Sequence, residues 1–255
     1  LGKNEEALNH CTKAIEVNPS LPEAYYNLGN LLGGLGKHEE AITSYTKAIK
    51  LKPSYCEAHN NLGISFYKLK KHRDAILHYS TAIQLKPDFS EGYNNRGNAL
   101  GKLKKLEDAL KSYGKAIQLR PDYAEAHYNM ALVFQAQSKF EEALVANKKA
   151  LRIKPDYAEA YYNMALVFQA QGNHEEALVA SKKALLIKPD FAEAHNNMGI
   201  AFQAKGEFDD AIGAYNKALL IKADYAEAHN NIGIPFRSQG KHEEAMAAFN
   251  KALLI

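Results

Sequence analysis

Apolar and polar residues along the chain form two helical patterns that return in a fixed order. The first pattern is seen in "AEAHNNMGIAF" (192–202), where apolar residues recur three and four positions apart. Residues at that spacing lie on one face of a helix. The second pattern is seen in "EEALVASKKALLIK" (175–188), where alanines lie seven residues apart. The sequence therefore predicts two alternating kinds of helix, which we call helix A and helix B.

The two patterns repeat together every 34 residues, without an insertion or a deletion. An asparagine in helix A and two alanines in helix B mark the period. The asparagine row is Asn27, Asn61, Asn95, Asn129, Asn163, Asn197 and Asn231, and the alanine rows start at Ala41 and Ala48 and end at Ala245 and Ala252. Neither helix has enough apolar surface to fold alone, so we expect the helix pairs to stack into a solenoid.

Prolines, glycines and acidic residues predict where the helices begin and end. A proline ends helix B in most repeats, and a Ser or Asp lies three residues before a glutamate, as in Asp190 and Glu193. This arrangement predicts a capping box at the start of helix A. Helix A should run for about fourteen residues, to a turn in which Gly172 or Gly206 takes the left-handed conformation.

The repeated pattern resembles the tetratricopeptide repeat. The residues that carry the resemblance are "AEAHNNMGIAF" in helix A and the "EEA", "KA" and final proline of helix B, and they recur through the whole chain. The resemblance implies an all-α fold, a right-handed superhelical solenoid of antiparallel helix hairpins. We expect a single solenoid over 1–255 that is a piece of a longer protein. Residues 1–19 are the second helix of a truncated repeat, and the repeats are 22–55, 56–89, 90–123, 124–157, 158–191, 192–225 and 226–255.

In this family helix A lines a concave surface that usually holds an extended partner segment. The asparagine row resembles the asparagine ladder in the repeat domain of O-linked N-acetylglucosamine transferases. An amide carries donors and an acceptor together, so it can pair with a peptide unit of any sequence. In a second interpretation, the same amides bond neighbouring helices or face water. The sequence leaves both interpretations open.

Other rows on helix A change along the chain. The row three residues after the asparagine is polar at Asn30 and Asn98 and apolar from Leu132 onward, which predicts an apolar stripe flanked by amides. Tyrosines before the asparagine row could hold a ligand or only cover the groove. The glutamate row is expected to cap helices. The candidate partner-binding residues are Asn27, Asn61, Asn95, Asn129, Asn163, Asn197, Asn231, Leu132, Leu166, Ile200, Gln135, Gln169, Gln203, Tyr128 and Tyr162.

Composition and charge exclude several classes of function for this chain. With 46% hydrophobic and 24% charged residues, the chain is too apolar to be disordered. It has no run of eighteen apolar residues and no signal-like segment, so we expect no membrane partner and a cytoplasmic location. The net charge of +3 does not favour nucleic acid. Residues 54–121 hold twelve basic and six acidic residues, a local excess of +6, which we interpret as a solvated edge.

Histidines and the remaining polar residues give no catalytic pattern. The ten histidines are mostly a repeat apart and occupy slots usually filled by an aromatic residue, so we expect core packing and no metal. Catalytic residues and cofactors are not expected. Asn147 and Ser181 stand where the family usually has an aromatic ring, which predicts looser packing there.

The favoured function is a protein-protein interaction scaffold that binds an extended peptide segment in its concave groove. One alternative is a substrate-recruiting arm of a larger enzyme, such as a glycosyltransferase. Another is a self-assembling structural solenoid. We also expect end-to-end self-association, because the final "KALLI" is apolar.

Overall fold

The computed structural model describes residues 2–255, with side chains described from Glu6 onward. These residues form fifteen α-helices and no strand. The helices are α1 Gly2–Val17, α2 Pro22–Gly34, α3 His38–Leu51, α4 Cys56–Lys68, α5 His72–Leu85, α6 Ser90–Lys102, α7 Leu106–Leu119, α8 Ala124–Ala136, α9 Phe140–Ile153, α10 Ala158–Ala170, α11 His174–Ile187, α12 Ala192–Ala204, α13 Phe208–Ile221, α14 Ala226–Ser238 and α15 His242–Leu254.

Even-numbered helices are helix A and odd-numbered helices are helix B. Each helix A other than α8 packs against the helix B that precedes it and the helix B that follows it. This confirms the predicted all-α helical repeat fold. Contacts divide the chain into two compact units, residues 1–133 (unit 1) and residues 134–255 (unit 2).

Each turn from helix A to helix B is closed by backbone hydrogen bonds around one left-handed residue. In the first turn Gly36 has φ +77°, and the N–H groups of Gly36 and Lys37 donate to the carbonyls of Gly33 (3.1 Å) and Leu32 (2.9 Å). This is the Schellman pattern, which satisfies carbonyls that the helix end leaves free. Gly172 and Gly206 have φ of +76° and +79°, which confirms the predicted turn conformation.

The predicted capping boxes are wrong. In α12 the residue before the first helical residue is Phe191, and it makes no side-chain cap hydrogen bond. Asp190 lies one residue too far upstream, since a cap must directly precede the helix for its oxygen to reach the free N–H groups. The other described helix A starts have Leu21, Tyr55, Phe89, Tyr157 and Tyr225 in this place, also without a side-chain cap bond.

Three first-turn glutamates, Glu23, Glu91 and Glu159, instead reach a cation at the end of helix B of the same repeat. Glu23 pairs with Lys52 at 3.6 Å and Glu91 with Arg120 at 3.7 Å. The same cations lie over the aromatic residue that precedes the next helix A, and the Arg120 Cζ atom is 3.4 Å from the centroid of the Tyr123 ring. These three glutamates therefore link the two ends of one repeat, whereas the sequence had predicted that they cap helix A.

Small residues allow the two helices of a hairpin to approach closely. The alanine row from Ala41 to Ala211 is fully buried in every repeat. In five repeats a helix A glycine faces an aromatic ring of helix B, and a Cβ on Gly97 would lie 2.6 Å from the Tyr113 ring. The core therefore depends on matched small and large residues across each hairpin.

Two repeats are built differently, with Asn147 and Ser181 in place of the aromatic ring. Both side chains have no exposed surface. Asn147 Nδ2 donates to the Ala143 carbonyl at 3.0 Å and to Asn163 Oδ1 at 2.6 Å. Both positions are therefore closed to solvent, and the looser packing expected there stays a prediction.

Candidate partner-binding site

In unit 1 the asparagine row joins neighbouring helices A. Asn61 Nδ2 donates to Asn30 Oδ1 at 2.8 Å and to Tyr26 Oη at 3.2 Å. Two more members repeat one geometry, in which Asn95 donates to Asn60 Oδ1 and Asn129 to Asn94 Oδ1, both at 3.1 Å. Asn27 is exposed. One N–H group of the bonded amides is thus used inside the protein.

In unit 2 the row is more deeply enclosed. Asn163 and Asn197 are 1% and 2% exposed, so neither amide presents free surface to a partner. Asn163 accepts from Asn147 and donates to Gln135 Oε1, and Asn197 Nδ2 donates to Ser181 Oγ at 3.2 Å. The next repeat returns to the unit 1 geometry, with Asn231 Nδ2 donating to Asn196 Oδ1 at 3.2 Å.

A cavity of about 360 Å³ opens on the helix A side of unit 2. We call it the unit 2 cavity. Leu166 and Ile200, one repeat apart, give it an apolar wall, and Tyr162 lies beside them. Its full lining is Gln135, Tyr162, Leu166, Gln169, Ala170, Asn196, Asn197, Ile200 and Glu227. The structure thus brings six of the fifteen sequence-predicted residues together at one place: Gln135, Tyr162, Leu166, Gln169, Asn197 and Ile200.

The other candidates lie outside this cavity. Tyr128 and Asn129 belong to unit 1 and are half-buried, and Leu132, also in unit 1, is 37% exposed. Gln203 lies in unit 2, and its Oε1 accepts a hydrogen bond from Tyr215 Oη at 3.1 Å.

Three lining residues were missed by sequence reasoning: Ala170 and the polar residues Asn196 and Glu227. Asn196 Nδ2 donates to Glu227 Oε1 at 3.2 Å. The signal was present, because Glu227 belongs to the first turn of α14 and shares the face that carries the asparagine row. Burial is the main cause that raises the pKa of Tyr225 above its ordinary value, and the Glu227 carboxylate adds to it.

Two oxygen atoms of the unit 2 cavity have no hydrogen-bond partner. Asn197 Oδ1 and Gln169 Oε1 are buried and unpaired. Buried polar atoms in folded proteins almost always have a partner, which can be protein, water or ligand. The cavity therefore offers acceptors that the protein itself does not use.

The helix A histidines have a structural contact in common. The Nε2 atoms of His59, His127 and His195 lie 3.2, 3.2 and 3.0 Å from the carbonyl oxygens of the prolines six residues earlier. Since a carbonyl only accepts, Nε2–H is the donor. Within residues 2–255 no group of three or more metal-ligating side chains is placed to hold a metal ion.

The same described residues contain no helix that is long and apolar enough to cross a membrane. The lysine-rich edge predicted at the turns of the second and third repeats is exposed. It consists of Lys68, Lys70, Lys71, Lys102, Lys104 and Lys105.

Stacked helix hairpins with an open cavity on one face define a helical-repeat interaction scaffold. A family model described as Cilia and flagella-associated protein 70 C-terminal domain matches residues 2–234, and a model described as Tetratricopeptide repeat matches residues 226–255. The chain therefore belongs to the Cilia and flagella-associated protein 70 C-terminal domain family of tetratricopeptide-repeat proteins. No protein with a curated description matches the sequence.

Solved structures with the same fold include two at more than a quarter identity. YrrB, described as a TPR protein with an unusual peptide-binding site, is 27% identical with a TM-score of 0.58, and the match covers 72% of this chain and 95% of YrrB. MamA is 28% identical with a TM-score of 0.59, and the match covers 65% of this chain and 97% of MamA. A chain of the APC/C hetero-tetramer Cut9–Hcn1 is 17% identical with a TM-score of 0.77, covering 92% of this chain and 46% of that one. The last likeness shows the fold alone.

Proposed function

We propose that the chain binds an extended segment of a partner protein along helix A of unit 2. The unit 2 cavity is the observation that carries this proposal. Its apolar wall is half-buried at Leu166 and Ile200, so it remains open to a ligand side chain. Pockets for ligands are typically apolar with a few convergent polar groups, and this cavity has that composition. The description of YrrB as a peptide-binding TPR protein is consistent with the proposal.

Free-energy magnitudes indicate which residues would supply affinity. A neutral hydrogen bond contributes about 1 kcal/mol net, whereas ordering an extended chain costs roughly 1–2 kcal/mol per residue. Amide pairing alone would therefore give a net binding free energy of about zero. Micromolar binding needs about 8 kcal/mol, and each well-buried apolar side chain contributes roughly 1.5–3 kcal/mol. Peptide side chains on Leu166 and Ile200 would then supply most of the affinity.

The asparagine row would have two roles in this proposal. Its partly exposed member in unit 2, Asn231, would meet the peptide backbone, in keeping with the row's resemblance to the ladder of O-linked N-acetylglucosamine transferases. Asn163 and Asn197 would hold the cavity wall in place, since they are buried. Asn163→Ala is a poor probe of peptide contact, because it removes the buried hydrogen bond that Asn163 accepts from Asn147.

A charge placed in the apolar wall tests the proposal. Peptides are selected for binding to the 255-residue chain from a displayed library of ten-residue sequences, and their Kd values are measured by fluorescence anisotropy. Leu166→Asp should weaken them at least about tenfold, because an aspartate in an apolar contact loses the burial energy and adds a desolvation cost. The matched control is Leu186→Asp, which makes the same change at an 84% exposed leucine of helix B.

Both variants must keep the helicity and melting temperature of the parent chain. Equal affinity of the parent and Leu166→Asp for the selected peptides would place binding elsewhere and refute the proposal. A library that yields no binding peptide would refute it as well.

A further inference from the structure

The polar groups of the unit 2 cavity are unequally used. One N–H of Asn197 donates to Ser181, and one N–H of Asn196 donates to Glu227. The oxygens Asn197 Oδ1 and Gln169 Oε1 are buried and have no donor. Glu227 adds an exposed carboxylate, which only accepts when ionised. The cavity therefore has one exposed acceptor and two buried acceptors that lack a donor within the protein.

An acceptor-rich cavity selects the chemistry of its occupant. A carboxylate or a carbonyl oxygen would leave Asn197 Oδ1 and Gln169 Oε1 unpaired and would repel Glu227. A purely apolar side chain would leave the same two oxygens without a partner and the Glu227 carboxylate without a counter-charge. A group with several N–H donors and a positive charge satisfies all three acceptors. The guanidinium of arginine offers five donors in one plane, and the ammonium of lysine offers three.

The apolar part of the cavity fits the rest of such a side chain. Long cationic side chains bury their methylene stems on apolar surface while the charged group reaches polar partners. Leu166 and Ile200 provide that surface, and the ring of Tyr162 provides a face on which a cation is stabilised. The same cavity thus has an apolar wall for the stem and acceptors for the head.

We propose that the unit 2 cavity is a specificity pocket for an arginine or lysine side chain of the bound peptide, with arginine preferred. This inference rests on the proposed function, because it needs a peptide along helix A. It adds to that proposal the class of peptide side chain that the site recognises. Glu227 and Gln169 are the specificity-determining residues, and Asn197 contributes its free oxygen from below.

A peptide series tests this pocket directly. The probes are acetylated and amidated peptides Ala-Leu-Ala-X-Ala-Leu-Ala in which X is arginine, lysine, norleucine or glutamate. They are titrated into the 255-residue chain while its amide and leucine methyl NMR signals are followed, which detects millimolar binding. The arginine peptide should bind at least about tenfold more tightly than the norleucine peptide, since charge-assisted hydrogen bonds are the strong ones. The glutamate peptide should bind most weakly.

Two variants of the pocket should remove this preference by different routes. Glu227→Gln removes the charge and keeps an acceptor, and Gln169→Met removes an acceptor at nearly constant volume. Each should bring the arginine peptide close to the norleucine peptide. The control Glu244→Gln removes one exposed carboxylate from the first turn of α15, outside the cavity, and should leave the preference unchanged. Circular dichroism establishes that each variant is folded.

The outcomes separate this inference from the proposed function. If arginine and norleucine peptides bind equally and both shift the Leu166 methyl signals, the groove binds peptides and the cation pocket is refuted. If the arginine preference survives in both variants, the cation binds elsewhere and the inference is again refuted. If no peptide shifts the signals of the cavity residues, the proposed function itself fails.

Discussion

At the residue scale, the clearest rule in the chain links a helix A residue to a helix B residue of the same repeat. Five repeats combine a glycine with an aromatic ring, and the remaining two combine an alanine with a small polar residue. The pairs are Gly29/Tyr45, Gly63/Tyr79, Gly97/Tyr113, Gly199/Tyr215 and Gly233/Phe249, and then Ala131/Asn147 and Ala165/Ser181. A Cβ would approach the ring to 2.5–2.7 Å in the glycine pairs, so the two positions must change together.

A double-mutant cycle on one pair tests this coupling. Gly97→Ala should destabilise the chain by roughly 1–3 kcal/mol, because the added methyl group overpacks against Tyr113. In the background of Tyr113→Ser, which copies the Ala165/Ser181 combination, the same change should cost far less. Urea denaturation of the four proteins gives the coupling free energy. Gly114→Ala is the control, since open space surrounds that helical glycine, and it should stabilise by about 0.5–1 kcal/mol. Additive effects of the two changes would contradict the rule.

Residue types at the candidate site were predictable, and their hydrogen-bond partners were not. The asparagine and apolar rows follow from the period alone. The partner of each amide lies 16, 28, 31 or 35 residues away on another helix, so it depends on how the helices stack. Asn163 and Asn197 bond the helix B residue sixteen positions earlier, Asn147 or Ser181, whereas Asn95 in the same place of its repeat bonds Asn60 of the preceding helix A. Glu227 was assigned to capping because its role depends on the helix beside it.

At the element scale, helix ends were predicted well where a backbone rule fixes them. The left-handed residue between helix A and helix B is glycine in Gly36, Gly172, Gly206 and Gly240. Three turns keep the conformation without glycine, at Lys70, Lys104 and Ser138, with φ of 61°, 57° and 58°. Neighbouring helices impose the geometry there, since the residue itself does not favour it. The start of helix A was predicted incorrectly, because an aromatic residue stacked under a cation occupies the cap position.

The turns without glycine store strain that a substitution can release. Lys104→Gly removes a left-handed cost of about 1–2 kcal/mol, partly offset by about 0.5–1 kcal/mol from the greater flexibility of glycine in the unfolded chain. The net expectation is a stabilisation of about 0.5–1 kcal/mol, measured by urea denaturation. Gly206→Ala, the reverse change in an equivalent turn, should destabilise. A loss of stability in Lys104→Gly would show that the lysine side chain makes a stabilising contact that outweighs the strain.

At the scale of the whole molecule, each helix B depends on the next helix A to cover its last turn. Ile83 and Leu151 occupy this position in their repeats and are 7% and 9% exposed. Leu253 occupies the same position in α15, the last described helix, and it is 84% exposed. Ile255 is 50% exposed. Exposed apolar groups at the end of a stack favour association with another stack.

The 255-residue chain should therefore associate end to end as its concentration rises, with sedimentation velocity showing a growing share of dimers or longer species. Leu253→Gln with Leu254→Gln should shift the distribution toward monomer, because it removes about two leucine contacts worth roughly 1.5–3 kcal/mol each. The control is Leu186→Gln with Leu220→Gln, which makes the same chemical change at leucines that are 84% and 86% exposed on helix B, away from the end. Gln84 and Gln118 already occupy that row in unit 1, so the fold accepts glutamine there.

A chain that stays monomeric at high concentration would refute the prediction. If the control pair abolishes association, the contact lies along the side of the stack and the prediction of end-to-end contact is wrong.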